Sequence, residues 1–221
     1  MNIKPKYIQV NLPETEKLNL GQAEAVPKYE PDIIFLEYPN NEETPDTIYN
    51  KYSIDNKPFD QIEKQKEGLK DMLSVHPWAE ADIVMWDNIA HLWRNGHECL
   101  VYRTDGPSEL TSEWLLVWKN MYPCATRNWL WWVQIYLREK YMARNISWIL
   151  AHYRTKLNPT VLVFLQSFHW RHVKFLLKNP SSKVEWQYYF GKFEGVTPEL
   201  VIETIKKLNQ VFYKYWLEIV R

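Results

Sequence analysis

Val161-Leu162-Val163-Phe164-Leu165 is a run of five apolar residues, entered through Asn158-Pro159 and Thr160 and left at Gln166. A strand with one wet face alternates apolar and polar side chains. An unbroken apolar run needs cover on both faces, which is the condition of strands in a parallel sheet. Ile33-Ile34-Phe35-Leu36, bounded by Pro31 and Pro39, has the same character. Glu98-Cys99-Leu100-Val101-Tyr102-Arg103 is a third such segment, stopping at Thr104-Asp105-Gly106-Pro107, and Lys6 to Val10 is a shorter extended run. This pattern constrains the fold more than any other feature of the chain.

Helical stretches separate these runs. Residues 20–29, 61–73 and 79–95 have helical character, the last ending at Gly96, a residue suited to a left-handed C-cap. Ser108 can cap a helix over 111–121. Arg127 to Arg154 is long enough for one extended helix, with apolar positions recurring at spacings of three to five. A short helix is expected over 170–177. Lys183 to Phe190 alternates and is read as an edge strand. Pro198 stands near the first turn of a terminal helix. Strands alternating with helices predict an α/β fold, a mostly parallel central sheet flanked by helices with a Trp-rich helical insertion. One domain is expected over 1–221. Within it, 38–60 is a loop or lid and 61–155 is mainly helical with one strand near 98–103. The terminal helix is placed at 197–219.

Composition removes several functions. The chain has 221 residues, with 27 Lys plus Arg against 27 Asp plus Glu. A formal charge of zero argues against electrostatic capture of nucleic acid or an anionic membrane. Only 6 glycines are present, where average usage of about 7% would give about 15. Phosphate loops need clustered glycines, so a Walker loop or a GxGxxG site is excluded. Cys99 and Cys124 are too few for a disulfide framework, and Cys99 suits a buried apolar site. The first residues have no apolar signal core and no 18-residue apolar run occurs, so a cytoplasmic protein is expected.

In open α/β sheets, ligands gather beyond the carboxyl ends of the strands. Polar residues just past each run are Asn11, Glu37 and Asp105, then Gln166, Ser167 and His169. Each type also serves as an ordinary cap or turn. Glu37 stands out because it abuts an apolar run, where an unpaired charge is costly. His172, three residues after His169, is expected to face solvent.

The order of these segments resembles the TraB/ChaN/Tiki superfamily, which includes the erythromycin-esterase-like proteins. Pro31-Asp32-Ile33-Ile34-Phe35-Leu36-Glu37 is similar to that family's second strand with its active-centre Glu. Leu137-Arg138-Glu139-Lys140-Tyr141-Met142-Ala143-Arg144-Asn145-Ile146 resembles its Arg-containing helix motif. Val161 to His169 is similar to the late strand that ends in GxxH, here with Gln166 in place of the Gly. Arg94-Asn95-Gly96-His97 and the strand after it resemble the helix–Gly–strand step. The first strand departs from the pattern: Ile8-Gln9-Val10-Asn11-Leu12 has neither the Gly nor the His of its GxxH.

The resemblance implies a metal-assisted hydrolase. Glu37 would be ligand or base, and His169 ligand or acid around a divalent metal ion, with Asn11 or Asp105 as further donors. Arg138 would stabilise an anionic intermediate, or make an ordinary salt bridge with a neighbouring Glu. The alternative implied by the lost motif residues is a catalytically degenerate relative that keeps the site for a ligand or protein partner. The expected partners are a small molecule or peptide, not nucleic acid or membrane. The chain also has 12 Trp, 14 Tyr and 8 Phe. Trp78, Trp86, Trp93, Trp114, Trp118, Trp129, Trp131 and Trp132 crowd into one helical region. They are expected to form a packing layer or a self-association surface.

Overall fold

The computed structural model describes residues 3–12, 20–39, 66–68, 70, 79–97, 99–107, 110, 128–179, 182–208, 213, 214, 216 and 217. All four extended runs are strands: β1 (Lys6–Leu12), β2 (Ile33–Pro39), β3 (Leu100–Asp105) and β4 (Thr160–Gln166). They form a four-stranded, all-parallel sheet in the order β1-β4-β2-β3. The two most apolar strands therefore occupy the two inner positions. Ile33, Ile34 and Phe35 are fully buried, as are Val161, Leu162, Val163 and Leu165. Each such side chain is worth about 2 kcal/mol on burial.

β4 pairs β1 from Lys6↔Thr160 to Leu12↔Gln166, and pairs β2 from Ile33↔Val161 to Leu36↔Phe164. At the amino end Asp32 ties the strands. Its carboxylate accepts the Thr160 N–H at 2.7 Å and Lys156 Nζ at 3.2 Å, while its own N–H donates to Thr160 O at 2.9 Å. Its carbonyl accepts the Leu100 N–H at 3.0 Å, which leads into β3.

Helices among the described residues include α1 (Leu20–Ala23), α2 (Ala25–Tyr29), α3 (Ala79–Arg94), α4 (Trp129–His152), α5 (Ser167–Lys178), α6 (Ser182–Phe190) and α7 (Pro198–Leu208). The chain divides into two compact units. One comprises Met1–Glu37, Glu42–Arg103 and Trp148–Trp170; the other comprises Tyr38–Asn41, Thr104–Ser147 and Arg171–Arg221.

In the first unit α3 packs on α1 and α2, with Asn88 Nδ2 donating to Ala23 O at 3.1 Å. Its buried residues Ala81, Asp82, Met85, Trp86, Ile89 and Ala90 follow the helical period. Gly96 ends the helix with φ 79°, a conformation that a Cβ would oppose. In the second unit Tyr136 on α4 meets Tyr189 and Phe190 on α6 edge-on, at 4.9 and 5.9 Å between ring centres. α7 buries Val201 and Ile205, one turn apart. Thr197 Oγ1 accepts the Leu200 N–H at 3.2 Å, capping the helix whose first residue is Pro198.

Several boundaries differ from the sequence expectation. β3 lies two residues later than 98–103, and the helical stretch 20–29 is two short helices. The expected edge strand over 183–190 is α6. The alternation of Val184, Trp186 and Tyr188 with polar residues mimics a strand. α6 buries Glu185, Tyr189 and Phe190; the first two are four apart, where α4 supplies their hydrogen-bonding partners. Of the expected loop 38–60, residues 38 and 39 end β2 and the rest lie outside the described residues. So do 111–121, Trp78, Trp114, Trp118 and Cys124. Trp86 is buried, whereas Trp93, Trp129, Trp131 and Trp132 are half-buried. No helix among the described residues is long and apolar enough to cross a membrane.

Candidate functional site

β2 and β4 deliver their last residues to the carboxyl edge of the sheet, where Glu37 and His169 come together. Glu37 is the fifth residue of β2, directly after the buried Leu36. α5 begins at Ser167 with no loop after β4, so His169 lies in its first turn rather than in a connecting segment. Glu37 Oε2 accepts the Gln166 N–H at 2.8 Å. Glu37 Oε1 stands 3.7 Å from His169 Nε2, with 3% and 4% of the two side chains exposed. Phe168 meets the His169 ring edge-on at 5.4 Å.

A separation of 3.7 Å exceeds a hydrogen bond but is short for two groups buried away from water. An ionised carboxylate at this distance can stabilise a proton that the imidazole takes up during a reaction. Catalytic contacts are often this long without substrate and tighten when it binds. The pair can therefore hold and move one proton.

The same two residues were the expected metal ligands. A hydrolytic zinc centre takes three protein ligands and a water. Among the described residues no group of three or more His, Cys, Asp and Glu side chains is placed to hold a metal ion. One oxygen of Glu37 is already engaged by the Gln166 N–H. The side chain of Asn11 lies outside the described residues, although its backbone is in register with Leu165. The described residues do not make up a metal centre.

The other candidates sit in the second unit. Asp105, at the exit of β3, receives Arg138 Nε at 3.1 and 3.2 Å on its two oxygens and Arg138 Nη2 on Oδ2. The Gly106 N–H also donates to Asp105 Oδ1, at 2.6 Å. The expected salt bridge of Arg138 is thus with an Asp from another element rather than with a neighbouring Glu. Asn145 Nδ2 donates to Thr104 O at 3.1 Å and completes the anchoring of the strand exit on α4.

The second unit also holds a polar cluster that sequence reasoning missed. Glu139 is wholly buried on α4 and accepts His172 Nδ1–H at 2.9 Å and the hydroxyl of Tyr189. Beside it Glu185 on α6 accepts the Tyr136 hydroxyl at 3.1 Å and Lys140 Nζ at 2.7 Å. Each helix thus gives a phenol to the other helix's carboxylate. Burial, reinforced by Glu139, raises the Tyr189 hydroxyl far above the ordinary phenol range. Burial, with Arg171 and Lys192 beyond it, lowers the His172 imidazole to about 4.

His172 was expected to face solvent, and it is 1% exposed. The signal was present in the helix period. Trp170, Val173 and Leu176 form the apolar face of α5, and His169 and His172 fall on that face. Another expectation holds: Cys99 is a free, buried thiol.

No protein-family model, no curated protein and no solved structure matches the chain.

Proposed function

We propose that the chain is a divergent TraB/ChaN/Tiki-like α/β protein and a hydrolase working at the carboxyl ends of its strands. One observation carries the reading. Two residues far apart in sequence, both on motifs of the resemblance, meet at 3.7 Å with buried side chains. In this mechanism His169 takes a proton from a water that attacks an ester or amide carbonyl. The imidazolium, held by Glu37, returns the proton to the leaving oxygen or nitrogen. Arg138, engaged by Asp105, is assigned no part in these steps.

A panel of chromogenic esters and peptides, offered to the full chain, tests this. Glu37→Gln and His169→Gln are each expected to lower turnover by about 100-fold or more. Turnover equal in wild type and both variants would sink the reading. Metal content is measured on the same preparations. Stoichiometric Mn, Co, Zn or Fe that disappears in a Glu37→Ala, His169→Ala variant would replace proton transfer alone with metal-assisted hydrolysis.

A second reading, a catalytically degenerate relative that binds a small molecule or peptide, is favoured by the missing third ligand among the described residues. It gains if a ligand binds without turnover. A cytoplasmic location and self-association through the half-buried Trp129, Trp131 and Trp132 belong to the same proposal.

A further inference from the structure

The turn from β4 into α5 is gripped from two sides. β4 lies between β1 and β2 in the sheet. From β2, Glu37 Oε2 binds the Gln166 N–H at 2.8 Å. From β1, Gln9 Nε2 donates to Leu165 O and to Ser167 Oγ, each at 3.4 Å. The three residues held are consecutive, and no loop separates β4 from α5. A side-chain amide carries two N–H donors, so one Gln can serve both acceptors.

His169 follows Ser167 by two residues, within the first turn of the helix. The direction in which α5 leaves the sheet therefore sets where the imidazole meets Glu37. A shift of a few tenths of an ångström at Ser167 is enough to move a 3.7 Å contact into or out of hydrogen-bonding range. Glu37 binds the central residue of the turn. Gln9 binds the residues on either side of it and so adds attachment points that flank the one Glu37 makes.

We infer that Gln9 is a positioning residue: its amide fixes the β4–α5 turn so that His169 is presented to Glu37. The inference rests on the proposal that the Glu37–His169 pair is functional. It concerns a position in β1 where the resembled family's first motif is absent, and where this chain substitutes a grip on the neighbouring strand.

The test uses the full chain labelled with ¹⁵N-histidine, following the His169 ring by NMR as pH is varied. Glu37→Gln removes the opposing charge and is expected to lower the His169 titration midpoint by about half a pH unit or more. Gln9→Leu and Gln9→Met lose the donor but keep bulk. Each is expected to lower the midpoint in the same direction, while thermal unfolding stays cooperative. If Glu37→Gln lowers the midpoint and neither Gln9 variant moves it, Gln9 is not a positioning residue and the pair stands. If Glu37→Gln leaves the midpoint unmoved, the pair itself fails. Loss of cooperative unfolding in both Gln9 variants would also overturn the inference, since Gln9 would then carry the fold rather than the pair.

Discussion

Asp105 and Arg138 show how a buried charge is made tolerable in this molecule. The carboxylate is 3% exposed and the guanidinium 11%, and the two are joined by a forked set of hydrogen bonds. Removing one partner from such a pair costs about 3 kcal/mol, because the other is left buried and uncompensated. Asp105→Ala is therefore expected to lower the free energy of unfolding, measured by urea titration, by that amount, and Asp105→Ala with Arg138→Met to recover part of it. His172 leads to a pH dependence. Its folded pKa, about 4, lies below the value near 6.5 of an unfolded chain. Between these limits the unfolded chain binds the proton and the folded one does not, so unfolding is favoured as pH falls. Stability present above about pH 6.5 is expected to drain away towards pH 4. In His172→Gln, which keeps an N–H donor for Glu139, melting temperatures measured across that window are expected to be flatter. Glu37 was legible in the sequence because a charge beside an apolar run is conspicuous. Glu139 was not, since its partners His172 and Tyr189 lie on other helices and nothing local distinguishes it from a surface Glu.

At the scale of elements, continuous apolar strands and long helical periods were legible, whereas short mixed segments were not. Val161 to Leu165 and Ile33 to Leu36 can satisfy only a doubly covered sheet. Val184 to Phe190 satisfies either period, and the choice falls to carboxylate and phenol partners that no local rule contains. Strand limits shifted for a similar reason. β3 continues to Asp105 because Arg138 and Gly106 hold that residue beyond the apolar run. Asp32 performs the matching task at the opposite edge, joining the entries of β2, β4 and β3. Asp32→Ala removes an acceptor from the Thr160 N–H and a partner from Lys156, at a cost of about 1–3 kcal/mol. Amide exchange at Thr160 is expected to accelerate more than exchange at Val163; equal acceleration would mean that Asp32 acts on the whole fold instead.

For the whole molecule, the sheet order was beyond local reading, because patterns specify that a strand is buried and not which neighbour buries it. The order β1-β4-β2-β3 makes β4 the common partner of β1 and β2. A chain ended at residue 158 lacks that partner. It is expected to show no cooperative unfolding by circular dichroism, whereas persistence of a sharp transition would show that the remaining strands can pair otherwise. The same order has a consequence in time. Lys6 pairs with Thr160, so about 150 residues must be synthesised before the first strand meets its neighbour. At ribosomal speeds of about 5–20 residues per second, that is a delay of roughly 8–30 s. Throughout it a strand edge carrying Tyr7, Ile8 and Val10 stands unpaired, open to the wrong partner or in need of a chaperone to cover it.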